Sequence, residues 1–79
     1  MNMRIVTTQS AESFEHIAYI ECFATTGNIT ILPGHEPTTI ALKPGSQIII
    51  HYESGEIVEK VTHNALLDIE RHTLVCIEE

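Results

Sequence analysis

Apolar and polar residues alternate along this chain with a period of two, in short runs broken by glycine, proline or small polar clusters. That pattern predicts strands. Residues 3–8 form a first strand, with Ile5 and Val6 apolar and Thr7 and Thr8 β-branched. Residues 9–13 are polar and read as a loop. A longer strand follows over residues 16–25, with Ala18, Ile20, Cys22 and Ala24 on one face and Tyr19, Glu21 and Phe23 on the other. Apolar residues on both faces imply partial cover on each side. Ile29 and Ile31 flank Thr30 in a brief strand, and residues 38–42 form another, rich in β-branched side chains. Residues 47–52 read as a buried strand. Residues 56–62 return from it through a two-residue hairpin turn at Ser54-Gly55. Residues 65–69 and 73–77 pair in a last hairpin around Glu70-Arg71-His72. No stretch has the spacing of a long amphipathic helix. About eight short strands with frequent turn signals predict an all-β fold: one domain over residues 1–79, a sandwich of two antiparallel sheets.

The most constrained stretch is residues 27–45, GNITILPGHEPTTIALKPG. It holds all three prolines (Pro33, Pro37, Pro44) and three of the four glycines (Gly27, Gly34, Gly45). Proline fixes φ and donates no ladder hydrogen bond, whereas glycine tolerates φ > 0. Pro33-Gly34 therefore reads as a tight turn, Pro37 as a constrained lead-in to the next strand, and Pro44-Gly45 as a second turn. His35 lies between them on a stiff loop.

The order Gly27, then Ile31-Leu32-Pro33-Gly34-His35-x-Pro37, then Leu42-Lys43-Pro44-Gly45, resembles the N-terminal β-sandwich domain of the F-type ATP synthase epsilon subunit, called delta in mitochondria. Residues 27–45 carry the specific part; elsewhere the likeness is one of strand order and length. The resemblance implies a central-stalk subunit that is not itself an enzyme, with the gamma subunit and the c-ring as partners. It also implies a peripheral place at the cytoplasmic face of the membrane and no cofactor. It points to Asn28, His35, Glu36, Thr38 and Thr39 as partner-facing residues. The chain departs from the family pattern in places. Thr38 and Thr39 replace leucine-like residues, Thr30 replaces a second glycine, and Thr62-His63-Asn64 replaces a serine-glycine-glycine turn. The first changes make the contact surface more polar; at the last, Asn64 tolerates a left-handed conformation better than most residues. Most epsilon subunits continue into a helical hairpin, which would begin where this sequence stops at Glu79. The expectation is thus the scaffold role without the hairpin's inhibitory one.

Composition narrows the alternatives. At 79 residues and 43% hydrophobic content, with no tryptophan, the chain can form a small aliphatic core. A domain of this size buries only about 60% of the surface its unfolded chain exposes, so a partner would add materially to its stability. Four basic residues against eleven acidic ones give a net charge of −7. That repels phosphate backbones and argues against nucleic-acid binding. No apolar run exceeds four residues, as at 17–20, far short of the ~20 residues of a membrane span, so no direct insertion is expected. No signal peptide is visible. Cys22 and Cys76 lie in alternating apolar strands and read as inert core thiols.

His16, His35, His51, His63 and His72 show no ligand-pair spacing, so a metal site could arise only by folding, as in a small cupin-like enzyme. Lys60 invites a second alternative, a lipoyl- or biotinyl-type carrier domain, but it falls inside a strand rather than at a turn. No phosphate loop and no nucleophile motif is present. His35 itself reads in two ways, as a turn histidine bonding a nearby carbonyl or as a contact residue facing the rotor.

Overall fold

The computed structural model describes residues 1–79 as nine strands without a helix. They are β1 (Asn2–Val6), β2 (Ala11–Phe14), β3 (Ile17–Ala24), β4 (Gly27–Ile31), β5 (Thr38–Ala41), β6 (Gln47–Tyr52), β7 (Ile57–Val61), β8 (Ala65–Ile69) and β9 (Thr73–Glu78). Two sheets face each other, a five-stranded one in the order β2-β1-β9-β8-β5 and a four-stranded one in the order β4-β3-β6-β7. The sandwich expected from the sequence is present, with one pairing of different sense. β1 lies parallel to β9, with Met3 opposite Leu74 and Ile5 opposite Cys76, while every other pair is antiparallel. Alternation alone carries no information on the sense of pairing, which is why the parallel pair escapes a sequence reading.

The core lies between the sheets and is mostly aliphatic. Met3, Ile5, Leu67, Ile69 and Leu74 of the first sheet meet Ile17, Ile20, Ile31, Ile48 and Ile50 of the second. Each is an inward position of its strand, and its neighbours in sequence point outward. Both cysteines are buried in this core, and neither is in a disulfide. At one margin, backbone bonds from Lys43 N to the Phe23 carbonyl (2.8 Å) and from Thr25 N to the Ala41 carbonyl (3.2 Å) tie the sheets together. At the other, Lys60 of β7 reaches Glu12 of β2 at 3.1 Å and sits 5.7 Å above the centre of the Phe14 ring.

Three local expectations need correcting. Part of the polar stretch 9–13 is not loop: Ala11–Phe14 forms β2, an edge strand that buries only Phe14. An edge strand with one covered position has almost no apolar signature. In β3 the register against β6 shifts between Ile17 and Tyr19. This bulge turns Ile17 into the core and leaves Ala18 only half-buried, whereas uninterrupted alternation would have buried Ala18. Finally, the β6–β7 connection has four residues, Glu53-Ser54-Gly55-Glu56, not two. Gly55 N donates to the Tyr52 carbonyl (2.9 Å) and Gly55 takes φ 93°, a turn closed by a glycine bulge.

Candidate functional site

The two proline-glycine segments form matching turns. In Leu32-Pro33-Gly34-His35, His35 N donates to the Leu32 carbonyl at 3.2 Å and Gly34 has φ 85°. In Lys43-Pro44-Gly45-Ser46, Ser46 N donates to the Lys43 carbonyl at 3.1 Å and Gly45 has φ 77°. Proline second and a positive-φ glycine third define a type II turn in both cases. Each turn is clamped to a distant strand connection. Gly34 N donates to the Arg71 carbonyl (2.7 Å), and Gly45 N to that of Thr62 (2.8 Å). The stiffness inferred from composition thus has a hydrogen-bonded cause. Asn64, expected to help its turn through a left-handed conformation, does not adopt one. The non-glycine residue at positive φ is His16, at 58°.

The candidate contact residues do not form one site. Asn28 sits near the start of β4, while His35 and Glu36 lie beyond its far end, past three strand steps of roughly 10 Å and the Pro33-Gly34 turn. Asn28 is exposed beside Phe23 on the outer face of the four-stranded sheet. The end nearest to it carries the connections β1–β2, β3–β4, β5–β6 and β7–β8. His35 and Glu36 lie at the opposite end, with the connections β2–β3, β6–β7 and β8–β9. His35 Nδ1 donates to the Glu36 carbonyl at 2.7 Å, so its ring fastens its own loop. Thr39 points outward from the five-stranded sheet and its hydroxyl donates to Asp68 Oδ1 at 3.3 Å. Thr38 is exposed at the start of β5.

A more continuous feature was missed in the sequence. Strand register lines up Ala11, Val6, Ile77, Leu66 and Ala41 side by side across all five strands of the larger sheet. These are outward positions, and all five residues are apolar. Ile77 is 54% exposed and Leu66 49%. The neighbouring row, Ser13, Arg4, Val75, Asp68 and Thr39, is mostly polar and borders it. Four strand spacings make the apolar row about 19 Å long. At its Leu66–Ile77 side it adjoins a shallow groove of about 340 Å³, lined in part by Ala41, Pro44, Asn64 and Glu79. The outward leucine and isoleucine are visible in the sequence, but their alignment depends on β2 and on the parallel β1–β9 register.

Other candidate chemistry disperses. No three of the histidine, cysteine, aspartate and glutamate side chains gather as metal ligands would. Lys60 is held mid-strand between Glu12 and Phe14, unlike the free hairpin lysine of a carrier domain. Burial pushes the Cys22 and Cys76 thiols up to about 11, as suits core residues rather than nucleophiles.

Comparison with known proteins now bears on this geometry. A family described as "ATP synthase, Delta/Epsilon chain, beta-sandwich domain" matches residues 1–77. No curated protein sequence matches the chain. Among solved structures, a chain of the Euglena gracilis mitochondrial ATP synthase, in its OSCP/F1/c-ring assembly in rotational state 1, superimposes with a TM-score of 0.83 at 20% identity. The match covers 96% of the present chain and 48% of that one, so the present chain spans about half its length. At that identity the likeness is one of fold.

Proposed function

The chain belongs to the delta/epsilon β-sandwich family of ATP synthase subunits, and on that premise we propose that it is a non-catalytic part of the central stalk of an F-type ATP synthase. In this reading it links the gamma subunit to the c-ring, and the nucleotide chemistry belongs to other subunits. The observation that carries the docking role is the apolar row Ala11–Val6–Ile77–Leu66–Ala41. An exposed apolar strip with a polar border, on a rigid sheet, is what a lasting protein partner covers. We assign that face to gamma. The connections around Asn28 offer hydroxyl and amide groups instead, and fit the polar loops of the ring. A close-packed core also suits a part that transmits torque, because it resists shear between its layers. The chain has no helix long and apolar enough to cross a membrane; its place at the membrane, on the cytoplasmic face, is through the ring.

Thermal unfolding with and without purified gamma subunit tests the reading. A partner that binds only the native state, present at 100 times its Kd, stabilises by about 2.7 kcal/mol. For a domain this small that is a rise in Tm on the order of 10 °C. Exchanging both exposed residues, Leu66→Lys with Ile77→Lys, should abolish the rise while changing the Tm of the free protein little. A Tm unmoved by saturating gamma subunit would remove the assignment.

A further inference from the structure

β7 is an edge strand whose outward side chains the docking role leaves unused. In the smaller sheet it pairs with β6 alone. At one end of that ladder Tyr52 N donates to the Glu56 carbonyl (2.9 Å), and at the other Thr62 N donates to that of Ser46 (2.8 Å). Alternation between those ends turns the backbone groups of Val58 and Lys60 toward β6. Those of Ile57, Glu59 and Val61 face the open edge. Their side chains point out of the sandwich, and Ile57 is 56% and Val61 55% exposed. Bare ladder groups beside exposed apolar side chains are a template for a further strand.

The template is close to self-complementary. A second β7 laid antiparallel about Glu59 brings Ile57 of each copy opposite Val61 of the other, and each such pair exchanges both its backbone bonds. Two charges stand where that pairing would be made. Glu59 lies on the two-fold axis and would meet Glu59 of the second copy, and like charges directly opposite repel. Lys60 points inward, opposite the fully buried Ile48, and reaches Glu12 at 3.1 Å. In the pair it would lie against Val58 of the other copy. Both Lys60–Glu12 pairs would then lose water without gaining a partner. We propose that β7 is a pairing edge for a second copy of this chain, kept unpaired by Glu59 and Lys60. The second copy is the occupant because the register makes Ile57 and Val61 each other's partners. The proposal stands apart from the rotor reading, whose apolar row lies on the other sheet.

Sedimentation equilibrium and backbone amide exchange test it on the purified protein. The wild type should stay monomeric up to about 1 mM, with the amides at 57, 59 and 61 exchanging rapidly. Glu59→Thr with Lys60→Val removes both charges and raises strand propensity, so the fold should persist. That variant should dimerise at least about tenfold more tightly than the wild type. In the dimer the three amides should exchange at least about tenfold more slowly. Glu59→Gln with Lys60→Met, closer in shape to the native residues, should change in the same direction. Two controls lose the same charges but block the edge. Glu59→Pro with Lys60→Val lacks the central N–H of the open edge, yet gives up no bond to β6. Val61→Lys, added to Glu59→Thr and Lys60→Val, returns a charge to a paired position, and decides alone if the proline variant does not fold. Both controls should remain monomeric. Monomeric behaviour of both charge-free variants overturns the proposal, as does a wild type that associates equally well. So does association that leaves the three amides exchanging rapidly, or that Val61→Lys does not weaken.

Discussion

Gly34 and His16 both sit at positive φ, and chirality bears on them in opposite ways. An added Cβ at Gly34 would meet nothing within 4 Å, so the cost of substitution there is conformational and not a clash. Gly34→Val should destabilise by about 1–3 kcal/mol, measured by urea unfolding, because a β-branched residue tolerates φ 85° poorly. His16 already bears such a cost. Its contact with Glu53 spans 3.9 Å between side chains 82% and 62% exposed and adds little. Relief of backbone strain therefore outweighs lost contact and the entropy of glycine. His16→Gly should be neutral or stabilising by up to ~1 kcal/mol. A clear loss in His16→Gly would show that the side chain matters more than the backbone. The Gly34 turn is legible in the sequence because Pro-Gly specifies it locally. The His16 kink is not, since nothing around Glu15-His16 announces it.

The cysteines give a pH dependence whose sign can be worked out. Burial raises both thiols from 9.0 to about 11, with smaller upward contributions at Cys76 from Glu78 and Cys22. Between those values the unfolded chain has released protons that the native state still holds. The stability present below pH 9 is thus lost as pH rises toward about 11. The urea midpoint should fall across that interval. Tyr52, whose pKa burial also raises, adds to the fall in the same direction. In a Cys22→Ala, Cys76→Ala double variant the slope should be visibly shallower. An unchanged slope would contradict the assignment to the thiols.

At the scale of elements, β2 and the strand register separate what a sequence can reveal from what it cannot. Period-two alternation exposes strands with one buried face, such as β8 and β9, and proline-glycine pairs punctuate them. β2 offers one buried residue in four, so it looks like loop. Yet Phe14 is 7% exposed and closes the core beneath Lys60. Phe14→Ala should cost on the order of 3 kcal/mol in urea unfolding, the low end for a buried aromatic because the site is at a sheet edge. Glu12→Ala, which removes only a surface ion pair, should cost less than about 1 kcal/mol. If the two variants unfold alike, β2 is not part of the cooperative core. Register limits the reading of the contact surface in the same way. Asn28 and His35 both fall within the constrained stretch 27–45, but most of β4 divides them in space. The apolar row, conversely, draws its five residues from five strands spread between Val6 and Ile77, and only pairing makes them neighbours.

For the molecule as a whole, fold and family were readable from the order of strands and the two turns, because both are local properties summed along the chain. The closure of the larger sheet was not, because it joins the first strand to the last. β1 and β9 run parallel as adjacent inner strands, so β1 starts at one end of the sandwich and β9 finishes at the other. Force applied to the two ends of the chain therefore pulls these neighbours past each other along their common axis. Their interstrand hydrogen bonds are then loaded together, instead of opening one after another as in a hairpin peeled from its tip. The join acts as a mechanical clamp, strongest along the line between the termini and weaker for loads that lift β7 or β4 off the edge of the smaller sheet.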